Sequence, residues 1–329
     1  MVNNNWEYLY QSELNLKKRI KVACVLAYYN GSAYFKDQLQ SIINQIQKSF
    51  SLTIFISDDN SVENFPSLDY LIIDKTKNLN ILYRKLSKNI GYAKNFIYSL
   101  SSIPPEFDYY CFSDQDDIWL DNKIEGALKK IDFIINNKPI LYGGRTTYYD
   151  TNCKREIGYS LLFKKKPSFR NAIIQNIAGG NTMLFNKAAR NVIVKSINET
   201  FDIVSHDWWC YQIITGAGGY FYYDKKSFIK YRQHGKNLLG ANNSIKAKLD
   251  RILSLLIGKF KIYYNIHLST LEKNKSLLTK ENQLVLKILI KGRNQSFLKR
   301  TISFLNIGIY RQTIFGNLAL FFAILLKRL

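Results

Sequence analysis

Four apolar runs, each closed by a polar loop, constrain this chain more than any other feature of it. Ile20 to Ala27, Leu52 to Ile56, Leu79 to Tyr83 and Tyr109 to Phe112 are short, rich in β-branched and aromatic residues, and bounded by polar clusters. Runs of that kind read as buried strands. After the first of them, Phe35, Leu39, Ile42, Ile43 and Ile46 recur at the three-to-four spacing of a helix with one buried face. Strands alternating with helices in this way predict a parallel, right-handed α/β sheet. Such sheets bind ligands at the carboxyl ends of their strands, so the four loops should line one edge.

The loops carry ligand-capable residues. The first strand ends in Tyr28-Tyr29-Asn30-Gly31-Ser32, with Ser32 expected to cap the next helix. The second ends in Ser57-Asp58-Asp59-Asn60-Ser61, and the third leads into Asn89-Ile90-Gly91-Tyr92-Ala93-Lys94-Asn95. The fourth opens into Ser113-Asp114-Gln115-Asp116-Asp117, followed by a helix near 121–137. Clustered carboxylates repel one another unless a cation lies between them. A hard divalent ion that shares its remaining positions with phosphate oxygens fits that need. A solvated acidic turn with Asp121 as helix cap is the simpler alternative, and the convergence of four polar strand ends argues against it.

After residue 140 the alternation breaks down. Leu141 to Gly144 and Thr146 to Tyr149 read as short strands, Lys164-Lys165-Lys166-Pro167 as a basic loop, and Ser205 as the cap of a helix opened by His206-Asp207-Trp208-Trp209. Gly218 to Tyr223 and Ser227 to Tyr231 read as two paired strands, after which the chain turns out through Arg232 to Asn237. The expected division is an N-terminal extension (1–19), a catalytic domain (20–242) and a basic amphipathic helical region (243–329).

Charge marks that last region. The net charge is +22, and residues 241–329 alone hold 16 Lys/Arg against 3 Asp/Glu. Such a block favours a nucleic acid or an anionic membrane. Lys246 to Asn274 and Ile302 to Leu326 are the expected helices. Gln312 to Leu326 is uncharged but has only 15 residues, short of the ~20 needed to span a bilayer. It is expected to lie in the membrane interface, flanked by Lys299-Arg300 and Lys327-Arg328, or else to pack as an ordinary core helix. The four cysteines form no CxxC pair, a reduced, cytosol-facing pattern. The start lacks the basic and apolar regions of a signal peptide, so export by that route is not expected. Peripheral attachment to the cytoplasmic face of the cell membrane is the expected location.

The loops, taken in order, resemble those of family 2 inverting glycosyltransferases with the GT-A fold, over roughly residues 20–240. The resemblance rests on Ala27-Tyr28-Tyr29-Asn30-Gly31, Asp58-Asp59, Asn89-Ile90-Gly91 with Lys94-Asn95, Asp114-Gln115-Asp116-Asp117, Gly179-Gly180-Asn181, His206-Asp207-Trp208-Trp209 and His234. Ser113 to Trp119 and Tyr231-Arg232-Gln233-His234 are similar to bacterial rhamnosyltransferases of that family. The resemblance implies a Rossmann-like, mostly parallel central sheet and transfer of a sugar, L-rhamnose being the first choice, from a dTDP- or UDP-sugar. The acceptor it implies is a lipid-linked surface glycan.

By the same resemblance, Asp207 is the base, and Asp114, Asp116, Asp117 and His234 are the candidate ligands of Mg2+ or Mn2+, Asp116 foremost. Donor contacts fall to Ala27, Tyr29, Asn30, Asp58, Asp59, Asn89, Gly91, Lys94, Ser113, Asp114, Gln115, Gly179, Gly180 and Asn181. Trp208 and Trp209 are assigned to the acceptor, one of them with a share in the core. The chemistry asks for these types: inversion by direct displacement needs a carboxylate to take the acceptor's proton, and a departing diphosphate needs positive charge. Asp59 suits a pyrimidine N–H because an ionised carboxylate only accepts. Relatives often carry Glu-Asp where this chain has His206-Asp207, which leaves His206 as an alternative base. A nucleotidyltransferase would place a basic, Gly-rich loop after the first strand, where Tyr28 to Ser32 has no basic residue. A non-enzymatic nucleic-acid or membrane binder leaves the acidic strand ends unexplained, so no nucleic-acid partner is expected.

Overall fold

A computed structural model of the chain describes residues 5–14, 19–131, 134, 138–198, 200–235 and 259–329. The strands are β1 (Glu7–Gln11), β2 (Ile20–Tyr28), β3 (Phe50–Asp58), β4 (Leu79–Lys85), β5 (Tyr109–Ser113), β6 (Ile118–Trp119), β7 (Ile140–Tyr149), β8 (Glu156–Tyr159), β9 (Leu184–Asn186) and β10 (Tyr220–Arg232). They form one mixed sheet in the order β1-β4-β3-β2-β5-β9-β7-β10-β6, with β8 beside β7. Strands β4, β3, β2 and β5 run parallel, as do β7 and β10, and the short β9 joins the two sets antiparallel to both. The mostly parallel sheet and the helical C-terminal region are the architecture the sequence led us to expect.

Alternation along β2 shows how the sheet is covered. Val22, Cys24 and Leu26 join one buried cluster with Phe35, Leu39 and Ile42 of α1 (Ser32–Ile43) and Ile124 and Leu128 of α3 (Lys123–Ile131). Ala23 and Val25 point to the other face, into a cluster with Phe96 and Ile97 of α2 (Tyr92–Ser102), Phe169 of α4 (Phe169–Ala172), Ile193 of α5 (Lys187–Lys195), and Trp209 and Ile213 of α6 (His206–Gly216). A strand buried on both faces puts successive side chains into opposite cores. Leu39 is fully buried, so truncating it to alanine would cost ~2–5 kcal/mol.

Several expectations change. The extension before residue 20 contributes an edge strand, with Glu7 opposite Tyr83. The two strands expected between 218 and 231 are one long strand, β10, which stays parallel to β7 through two register shifts around Ser227. Ser32 is not the cap of α1: Gly31 holds that position, and the Ser32 hydroxyl donates to Glu63.

The helical region comprises α7 (Lys259–Lys273), α8 (Lys280–Arg293), α9 (Phe297–Ile307) and α10 (Ile314–Leu325). The helix expected from Ile302 to Leu326 is thus two, broken at Gly308, whose left-handed φ of 61° closes α9. Arg300 does not flank α10 as a surface cation. It is buried and donates to the carbonyls of Ile324 and Leu325, capping the carboxyl end of α10. The helix expected from Lys246 is described only from Lys259. No described helix is long and apolar enough to cross a membrane.

Candidate active site

The carboxyl ends of β2, β3 and β5 lie side by side, with Ala27, half-buried, opposite Ser57 and Leu26 opposite Ser113. Asp58 and Asp59 are buried at the end of β3. Asp58 accepts from Ser61 N (2.7 Å) and from the Tyr83 hydroxyl (3.0 Å). Asp59 accepts from the backbone N–H of Ile90 (2.8 Å) and Gly91 (2.9 Å). Burial pushes the Asp59 carboxyl above its ordinary range, against the pull of those two N–H groups. Asp59 therefore anchors the loop in which the Asn89 side chain also accepts from Gly91 N. The left-handed φ of Gly91, 84°, turns that loop into α2. Asn30, likewise at positive φ, accepts from Val62 N and so binds the first loop to the second. Tyr29 is exposed at the same mouth.

The acidic loop after β5 is fastened to the first loop by Gln115. Its side-chain amide accepts from Tyr29 N (2.8 Å) and donates to Tyr29 O (3.1 Å). A Cβ at residue 31 would stand 2.3 Å from that amide, which explains the glycine there. Ser113 is buried between Gln38 Nε2 and the Asp114 carbonyl.

The three acids of the loop divide sharply. Asp117 is fully buried, with one oxygen accepting from Asn181 Nδ2 and the other from Arg232 N at 3.2 Å. It ties the Gly179–Asn181 turn and the end of β10 to the acidic loop. Both its oxygens accept within the protein, so Asp117 braces this corner whether or not it also faces a cation. Asp116 meets His234 Nε2 at 2.9 Å, and its carbonyl accepts from Arg232 Nε at 2.8 Å. Asp114 is pushed up to about 8, by burial first and then by the neighbouring charges of Asp116 and Asp207.

Asp207 sits in the first turn of α6, after Ser205 in the cap position. One oxygen accepts from Trp208 N at 2.7 Å, and the helix N-terminus favours the carboxylate. His206 is turned away from it into the core, stacked on Phe96 at 4.0 Å with Phe112 edge-on at 5.1 Å. Burial holds its pKa down to about 4, against the opposing charge of Asp207. An apolar, neutral imidazole so enclosed does not serve as the base. The same ring explains Gly180, where a Cβ would lie 2.0 Å from His206 Nε2.

The tryptophans are a correction. Trp208 is only 6% exposed, donates to Ala172 O and stacks on His267. Trp209 is fully buried and donates to Ser196 Oγ. Both fill the core, since the apolar side of α6 faces the sheet and α7, so neither offers a face to an acceptor. Lys94 is paired with Asp202 at 3.1 Å.

Three residues escaped the sequence reading. Buried Arg232 also donates to Thr151 O and Asp37, and its guanidinium lies 4.6 Å from the Tyr34 ring centroid. Tyr34 in turn packs at a 30° tilt against His234, ring centroids 4.8 Å apart. His267 Nε2 accepts from Val204 N, which leaves Nδ1 to donate to Gln212. Only Arg232 carried a signal, its place two residues before His234.

Among the described residues no three acidic, histidine or cysteine side chains already converge as a ligand set. The corner nonetheless fits a hard cation, because carboxylate oxygens and one imidazole suit Mg2+ or Mn2+. The mutual repulsion borne by Asp114 is what such an ion would relieve.

The family model for glycosyl transferase family 2 matches residues 23–193. The dTDP-rhamnosyl transferase RfbG of Shigella flexneri is 34% identical over 235 residues, covering 69% of this chain and 78% of the relative. Among solved structures, residues 1–349 of S. aureus TarS in complex with UDP-GlcNAc align at a TM-score of 0.48 and 14% identity, over 88% of this chain and 81% of that one. The mannosyltransferase PcManGT of Pyrobaculum calidifontis, in complex with GDP-Man and Mn2+, aligns at 0.47 and 12%, over 95% and 86%.

Proposed function

This chain belongs to glycosyl transferase family 2, and from that premise we propose that it transfers L-rhamnose from dTDP-rhamnose, with inversion, to a lipid-linked surface glycan. The observation that carries the mechanism is the meeting of Asp114 and Asp116 from the end of β5 with Asp207 from the start of α6. This supports a leaving-group site and a base at one corner.

In the reaction the acceptor hydroxyl oxygen bonds to the anomeric carbon as the bond from that carbon to the diphosphate oxygen breaks. Asp207 takes the hydroxyl proton. Its second oxygen carries no hydrogen bond among the described residues, so it is the one offered to the acceptor. Asp114, Asp116 and His234 would hold the divalent cation, whose chemistry when bound is to neutralise charge growing on the diphosphate. Gln115 keeps the two loops of the donor pocket at fixed distance. Asp59, braced by two N–H groups, has lone pairs left for a pyrimidine N–H, and Tyr29 lies exposed beside that end. The rhamnosyl donor is supported by the curated relative's name.

The test is a donor panel of dTDP-rhamnose, UDP-GlcNAc and GDP-mannose, each with Mg2+ or Mn2+, read by thermal shift. At a hundredfold excess over Kd a ligand adds ~2.7 kcal/mol of stability. dTDP-rhamnose should give the largest shift. A response to the GDP-sugar alone would contradict the pyrimidine assignment.

A further inference from the structure

We infer that α9, α10 and the Lys164–Lys166 loop together form a docking face for an anionic bilayer. On α9, Leu298, Ile302 and Leu305 follow one another at four- and three-residue steps, and all three are exposed. On α10, the adjacent Ile314 and Phe315 are followed at three- and four-residue steps by Leu318 and Phe322, all exposed, Ile314 and Phe315 by 78% and 81%. Leu305 and the exposed Phe321, next to Phe322, line one surface cavity of about 270 Å³ between the helices, which brings the two rows together. Exposed apolar surface of this extent marks an interaction site.

Charge selects the occupant. Residues 259–329 hold 13 Lys/Arg against Glu272 and Glu281, and Lys299, Lys327 and Arg328 are exposed at the ends of the two apolar faces. The structure adds cations from far along the chain. Lys165 N donates to Gln312 Oε1, Gln312 Nε2 returns a bond to Lys165 O, and the Tyr310 hydroxyl donates to Lys166 O. This clamp sets exposed Lys164, Lys165 and Lys166 beside the exposed start of α10. Apolar side chains ringed by cations match lipid tails under anionic headgroups, whereas a second copy of this chain would bring the same positive charge. A helix of 12 residues lies in the interface and does not span it. The expected seat is the anionic cytoplasmic leaflet.

The full-length chain would be floated with vesicles of neutral phosphatidylcholine, with and without phosphatidylglycerol, at low and high salt. Binding should require the anionic lipid and weaken with salt. Phe315→Glu with Phe322→Glu should reduce it about tenfold or more, and Lys164→Gln with Lys166→Gln about fivefold for each charge removed. All four positions are exposed, and unchanged melting temperatures would show that the variants fold. Equal binding to neutral vesicles, or full binding by the Phe315/Phe322 variant, overturns the inference. So does a wild-type dimer that this variant splits while wild type binds no vesicle.

Discussion

At one end of the sheet edge, around Asp58 and Asp59, every carboxylate oxygen accepts a hydrogen bond from the protein. At the other end Asp116 and Asp207 stand close enough to push Asp114 up to about 8, after burial has done the larger part. The same type of side chain is a brace in the first place and, in the second, a carboxyl whose charged form its surroundings disfavour. The Asp58–Asp59 end is therefore shaped by the fold alone. At the second end a cation would favour the charged form of Asp114 that burial and neighbouring charges now disfavour. Asp117 shows that position in a motif does not decide between the two, since it lies next to Asp116 and is a brace.

Removing one acid of each kind separates the two roles most directly. Asp116→Asn should lower kcat by ~10²–10³ through weaker stabilisation of the leaving group, with the urea midpoint almost unchanged. Asp117→Ala should do its damage in stability, ~1–3 kcal/mol, because Asn181 Nδ2 and Arg232 N lose a buried acceptor. A large fall in stability for the first variant and none for the second would reverse the assignment of brace and ligand.

A smaller effect sharpens the picture of α6. His206 is held down to about 4 and His267 to about 3 by burial, from 6.5. Both are neutral in the folded chain at pH 6.5, whereas the unfolded chain takes up their protons as pH falls. Their contribution to stability is thus present above pH 6.5 and is lost as pH falls to about 4 for His206 and about 3 for His267. Urea titrations across that window should show it, and His267→Asn should flatten the slope. A slope unchanged in that variant would mean that His267 is not buried neutral against α6.

Much of this was legible in the primary structure because it depends on local pattern. The ends of β2, β3, β4 and β5, the loops that follow them and the helix opened by His206 all lie where apolar runs and polar breaks put them. What escaped depends on partners far along the chain. The role of Asp117 is set by Asn181, 64 residues away, and by Arg232, 115 residues away. Trp208 and Trp209 look the same as surface aromatics until α7 is seen packed over them. The break at Gly308 was masked by apolar residues on both sides, and Arg300 reads as a surface cation until its bonds to the end of α10 are known.

Asp207 as the base is the assignment on which the proposed reaction depends. Asp207→Asn keeps the shape and removes the proton acceptor. Transfer from dTDP-rhamnose, measured as dTDP release with acceptor present, should fall by ~10²–10⁴, while calorimetric dTDP affinity stays within about twofold. Turnover at the wild-type rate in that variant would contradict the account.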